Sequence, residues 1–286
     1  MIGGLLCILD ICAYKHMSKE VLMNSRVIVV TSGKGGVGKT TLTANLGRRL
    51  ASLGQNVALL DTDLGLNNLD ILMNIETKVV YDIVDVIEGR CRLAQALVSD
   101  AMRPNLKILP GAHSYDKSKI TGQNIKLVVV GMQKMFDYIL IDCPAGIELG
   151  FHRAVSAASE ALVVTTPHIS AMRDADKAIT LLKSYALSNI GLVVNRARGD
   201  LEATGETLPA KEIADLLKTE LVAVIPDDDA VGQLSNFAVS TSRSMGMDAI
   251  DLLARNVHFG SRKILDVSSK YKGLFGMIKR NFKRMG

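Results

Sequence analysis

Residues 33–41 read Gly-Lys-Gly-Gly-Val-Gly-Lys-Thr-Thr. This is the phosphate-binding loop pattern G-x-x-x-x-G-K-[ST]. Its flanks agree with it: Arg26-Val27-Ile28-Val29-Val30 reads as a buried strand, and Thr41 to Leu50 reads as a helix. Gly33, Gly35, Gly36 and Gly38 let the backbone turn its N–H groups onto phosphate oxygens, where a side chain would collide. Val37 and Thr41 complete the cradle, and the helix N-terminus adds partial positive charge. Lys39 is placed to reach the β- and γ-phosphates, and the Thr40 hydroxyl to ligate Mg²⁺. The chain is therefore expected to bind ATP with Mg²⁺.

Working outward, apolar runs of strand length alternate with helical stretches. The expected strands are 26–31, 57–60, 106–109, 138–142, 161–165, 190–194 and 221–225. They are continuous rather than alternating, as strands covered on both faces should be. Helices between them make βαβ units, hence a three-layer α/β fold with a mostly parallel, twisted sheet. With 286 residues, 48% hydrophobic and 22% charged, the chain can bury the core such a domain needs. Ligands in these sheets bind at the carboxyl ends of the strands.

Two further strings fall at such ends. Asp61-Thr62-Asp63-Leu64-Gly65-Leu66-Asn67-Asn68-Leu69-Asp70 follows the second strand. Two carboxylates beside a nucleotide-bound metal can hold its water and orient the attacking water. Tyr138-Ile139-Leu140-Ile141-Asp142 is a hydrophobic strand ending in an acid, which places Asp142 near Mg²⁺. It runs on into Cys143-Pro144-Ala145-Gly146-Ile147-Glu148, a loop suited to moving when a γ-phosphate leaves. Cys143 reads as a small buried residue.

The formal charge of +5 is uneven. Residues 262–286 carry eight Lys/Arg against Asp266 alone, so the rest of the chain is slightly acidic and gives no general case for nucleic-acid binding. On a helix, Leu274, Phe275, Ile278, Phe282 and Met285 fall within about 100° of arc, while Lys279, Lys283 and other basic residues take the opposite side. An apolar stripe against a basic face suits a helix lying in an anionic membrane surface. A helix packed on the domain, or a basic tail on nucleic acid, are the alternatives. Each basic residue near such a surface contributes about 1 kcal/mol, but ordering about a dozen tail residues at about 1–2 kcal/mol each offsets most of the gain, so one tail should bind weakly. Two tails on one dimer would gain about 10²–10⁴-fold through effective concentration.

Lys34 narrows the reading. A lysine at the second position of the loop resembles the signature lysine of the "deviant" Walker A loop in the MinD/ParA family of ATPases. The string 61–70 resembles that family's first switch, residues 142–148 its second, and the basic tail the membrane-targeting sequence of its division-site branch. The resemblance implies that Lys34 acts across a dimer interface, that Asp61 lies near the metal and that Asp63 supports hydrolysis. It also implies that Asn195, ending Val193-Val194-Asn195-Arg196, contacts the adenine edge, while Pro226 and Asp227 close over the base. Asn195 and Asp227 could equally be caps or turn formers.

The implied function is a slow, partner-stimulated ATPase. Its ATP-dependent homodimer would dock on the cytoplasmic face of the inner membrane, recruit a MinC-like septation inhibitor and answer to a MinE-like or other topological partner. Chromosome or plasmid partitioning and flagellar placement are the alternatives within the family. An iron–sulfur electron carrier is a more distant one: Cys91 and Cys143 are its candidate ligands, but their surroundings do not match. The expected organisation is a leader or mis-assigned start at 1–22, the ATPase domain at 23–260, and a linker with the amphipathic helix at 261–286.

Overall fold

In a computed structural model, the structure describes residues 25–65, 68–112, 120–232 and 244–272. The expected leader at 1–22 and the amphipathic stripe from Leu274 to Met285 lie outside them.

The chain opens with β1 (Arg26–Thr31), the loop 32–38 and α1 (Lys39–Ser52). It continues through β2 (Val57–Asp61), α2 (Asn68–Met73), α3 (Ile83–Ile87), α4 (Leu93–Ala96), β3 (Val98–Ser99) and β4 (Leu106–Leu109). Next come α5 (Gly122–Met132), β5 (Tyr138–Asp142), α6 (Leu149–Val155), β6 (Glu160–Thr165), α7 (Ile169–Leu182) and β7 (Asn189–Ala197). The remainder is α8 (Gly199–Thr204), α9 (Ala210–Leu217), β8 (Glu220–Pro226), α10 (Asp229–Gly232), α11 (Met245–Phe259) and a 3₁₀ turn at Ser269–Tyr271.

The sheet has eight strands in the order β3-β4-β2-β5-β1-β6-β7-β8. All seven expected strands are present. The eighth, β3, is two residues long and pairs antiparallel with β4 at Val98↔Ile108. Every other pair is parallel. Strand β1 sits in the middle, with β5 on one side and β6 on the other. The order reverses there, and a crevice opens at the carboxyl ends.

Alternate residues of each strand feed two cores. Val27, Val29, Ala58, Leu60, Ile139 and Ile141 face one layer, with Ile125 and Val129 of α5, Phe151 of α6 and Ile179 of α7. Ile28, Val30, Val57, Leu59 and Leu140 face the other, with Leu42 and Leu46 of α1 and Ile250 and Leu253 of α11. Burial on both faces explains why the strands read as unbroken apolar runs. Within the segment expected to begin the linker, Val267 is 3% exposed and Tyr271 8%, so these side chains pack against the body.

Candidate nucleotide-binding site

The loop 32–38 leaves the central strand and turns straight into α1. Gly36 and Gly38 take φ of 78° and 95°, which a side chain disfavours. Gly38 caps α1 with no side-chain hydrogen bond, and the first turn holds no acid. Its N–H groups are thus left for an anion. Gly33 is required for a different reason. A Cβ there would lie 1.9 Å from the backbone oxygen of Asp174 in α7.

The two lysines of the loop have opposite settings. Lys39 is 7% exposed and its charge acts on Asp63 and Asp142. Lys34 is exposed at the outer lip, with Nζ 3.3 Å from Ser170 Oγ at the start of α7. Ser32 Oγ donates to the Lys34 carbonyl at 2.6 Å, fixing the backbone beneath that side chain.

Asp61 and Asp142 end neighbouring strands and are register partners. Each is 1% exposed. Asp61 accepts from the Asp63 N–H at 2.9 Å and the Leu69 N–H at 3.4 Å. Asp142 accepts from Thr43 Oγ1 at 3.2 Å, and the Thr40 hydroxyl also holds it. Thr62 Oγ1 donates to the Asp142 carbonyl at 2.7 Å. Burial, together with the charge of Asp142, pushes the Asp61 carboxyl well above the usual range. Burial also lifts Asp142, to about 6, against the pull of Thr40, Lys39 and Thr43. Burial raises Asp63 too, and Lys39 draws it back.

Two buried carboxylates lie side by side, and Lys39 acts on only one of them, Asp142, which is a setting a divalent ion would relieve. The residues fit Mg²⁺ held chiefly through phosphate, hydroxyl and water. Among the described residues no cluster of three or more His, Cys, Asp or Glu could hold a metal by itself.

A pH dependence follows. Folded, Asp142 keeps its proton up to about pH 6; unfolded, it loses it near 3.8. The folded chain therefore binds more protons between those values. Its stability is greatest below this window, falls as pH rises through it and levels off above. Asp61 acts in the same direction. Metal-free protein should melt higher at pH 5 than at pH 7.5, by about 1 kcal/mol per pH unit crossed. Saturating Mg²⁺–ATP should remove that advantage. A metal-free melting point that drops on acidification would refute this account of the carboxylates.

Asn195 turns toward the phosphate loop. Its Nδ2 donates to the Val37 carbonyl at 2.8 Å, and a Cβ on Gly38 would lie 2.5 Å from that nitrogen. A register shift in β7 between Val194 and Ala197 puts Arg196 at φ 54° and aims Asn195 inward. Pro226 pairs with Ala197, and the exposed Asp227 donates its N–H to the Ala197 carbonyl at 3.1 Å. Sequence reasoning missed Thr43, Thr62, Ser170 and Asp174. Thr43, buried three residues beyond Thr40 on the same helix, had the best local signal.

Cys143 is 1% exposed, and burial pushes its thiol up to about 12. That setting is inert and offers nothing to an iron–sulfur cluster. A separate cavity of about 200 Å³ lies at the opposite ends of the strands, among Arg26, Glu160, Asn256 and Arg262. Its charges are paired within the chain as Arg26–Glu160 and Arg262–Glu220, and none of the phosphate-loop residues lines it.

This loop, switch-point position and carboxylate pair define a P-loop nucleotide-binding protein. The chain belongs to the CobQ/CobB/MinD/ParA nucleotide-binding domain family, which it matches over residues 28–240. It is 44% identical over 260 residues to the septum site-determining protein MinD of Bacillus subtilis, covering 89% of this chain and 97% of that one. A chain of the MinC:MinD cell division protein complex from Aquifex aeolicus superposes with a TM-score of 0.77 at 41% identity, over 84% of this chain and 98% of its own. MinD complexed with Mg-ADP from Pyrococcus horikoshii gives 0.72 at 32%, over 82% and 96%.

Proposed function

We propose that this chain is an ATPase that helps to place the cell-division septum. The observation that carries the reading is the contrast between its two loop lysines. Lys39 is buried among Asp63 and Asp142, where it can serve the chain's own phosphates. Lys34 stands exposed at the lip, positioned to serve a nucleotide held by a facing subunit. Its similarity to MinD proteins over nearly their whole length supports the same reading.

In this reading the loop 33–41 binds the triphosphate, with Asn195, Pro226 and Asp227 around the base. Thr40, Asp61 and Asp142 hold Mg²⁺, which supplies neutralisation of phosphate charge. Asp63 orients the attacking water. Two subunits close over two nucleotides, each Lys34 reaching across. The motifs include no arginine finger, so hydrolysis alone is slow and a MinE-like partner at the dimer face speeds it. The ATP-bound pair receives a MinC-like inhibitor.

No helix among the described residues is long and apolar enough to cross a membrane. The reading has the dimer dock peripherally, through the apolar stripe and basic face expected of residues 271–286. The body begins near residue 23, and the basic tail follows the packed segment 261–272. The slightly acidic charge of the chain outside 262–286 disfavours a DNA-partitioning role.

The test is co-sedimentation with vesicles containing anionic phospholipid, in ATP and in ADP. Pelleting should be at least about tenfold stronger in ATP. Ile278→Glu should abolish it without changing nucleotide affinity. Vesicle binding that ignores both nucleotide and Ile278 would sink the membrane step.

A further inference from the structure

Helix α11 begins at the nucleotide end of the molecule, where Asp228 Oδ2 accepts the Gly246 N–H at 2.8 Å. It ends beside Arg26, whose guanidinium donates to the Val257 carbonyl. At Gly260, φ 66°, the chain reverses. Asn256 holds the return: its Nδ2 donates to the carbonyls of Val222 and Lys263, each at 2.9 Å, and its Oδ1 accepts from Ser261 Oγ at 2.6 Å. Leu265 packs against both cores, so this strap closes the β8 edge of the sheet. Its last turn is tied by Asp266 Oδ1, which accepts from the Ser268 N–H and Oγ and from the Ser269 N–H.

That turn rests on α8. Gly199 lies so close to the strap that a Cβ would be 1.9 Å from the Val267 carbonyl oxygen. Arg198 forks onto Asp200, with Nε to Oδ1 at 3.0 Å and Nη2 to Oδ2 at 2.7 Å. Asp227 and Tyr271 are both near enough to act on the same guanidinium. Three residues upstream, Asn195 holds the Val37 carbonyl of the phosphate loop. The single stretch 195–200 thus touches the phosphate loop, the loop at Pro226–Asp227 and the strap from which the basic tail departs.

We propose that Arg198 is a positioning residue that couples the nucleotide-binding loops to the strap 261–272, so that a bound nucleotide fixes the point from which the tail leaves the body. The coupling rests on the nucleotide-binding reading above but needs neither membrane nor partner. A base held beside Asn195 restrains the loop at Pro226–Asp227. Restraining Asp227 opposite Arg198 restrains Asp200 and the turn above it. Ordering one segment lowers the cost of ordering the next. Arg196, a non-glycine residue at φ 54°, stores strain at the point where this movement would begin.

The test is amide hydrogen exchange of peptides spanning 261–272, with and without Mg²⁺ and a slowly hydrolysed ATP analogue. Nucleotide should slow exchange there by at least about threefold. In Arg198→Ala that response should vanish, while nucleotide affinity stays within about twofold. Arg198→Lys keeps the charge and loses the fork, so it should restore part of the response. Asp200→Asn, isosteric and less disruptive, should behave like the alanine variant. A wild-type strap that ignores nucleotide, or an alanine variant with the full response, overturns the coupling. Nucleotide binding is read separately by titration with a fluorescent ATP analogue. Failure of that titration in the wild type would overturn the nucleotide reading itself, and the coupling with it.

Discussion

Lys39→Ala is expected to weaken ATP binding by about 10²–10³-fold and to abolish both hydrolysis and ATP-dependent pairing of subunits. The size follows from the setting. Lys39 is 7% exposed, so its charge acts through little water, and its partner phosphates would gain a buried, charge-assisted contact. The same ammonium offsets the lifted carboxyls of Asp63 and Asp142, so removing it leaves those acids without that cation. Lys39→Arg should not rescue, because a planar fork is a poor substitute for a point charge in a closed slot. Titration calorimetry reads the affinity, and size-exclusion chromatography with ATP reads the pairing. Binding within about twofold of wild type would remove the loop from the mechanism.

The second large effect has two signs in one variant. Asp142→Asn should stabilise the metal-free protein at pH 7.5, because one of two adjacent buried charges is gone. The new amide oxygen can still accept from Thr43, so the pocket need not reorganise. The same change should lower Mg²⁺-dependent hydrolysis by at least about 10²-fold, since a neutral amide is a poor partner for the cation. Melting in chelator and turnover in Mg²⁺ together read both signs. A variant that melts lower and turns over normally would show that Asp142 is structural.

The sheet was legible because its strands are covered on both faces: Val27 to Val30 and Ile139 to Ile141 are each at most 2% exposed, and such runs announce themselves. Strand β3 was not, since two residues carry no period. The phosphate loop and both acids could be read because their roles depend on residue types at fixed spacing. The aim of Asn195 could not. It depends on a bulge at Arg196, a residue type that gives no sign of a left-handed backbone. The strap was hidden by its composition: Val267 and Tyr271 are buried, yet lysine, serine and aspartate surround them. Charge marked 262–286 as one basic stretch and gave no sign that Val267 and Tyr271 within it are buried.

The round trip made by α11 and the strap has a mechanical side. The chain leaves the nucleotide pole at Gly246 on one face of the sheet, crosses to the far pole at Gly260 and returns to α8 on the other face, where Tyr271 lies near Arg198. Traction applied through Lys272 would enter the molecule at the 3₁₀ turn and pass to α8 and the strand ends beside Asp227. The Arg26–Glu160 clasp at the other pole would be shielded from it. A chain pulled at Lys272 would therefore yield first around the nucleotide-binding loops, leaving the central sheet whole.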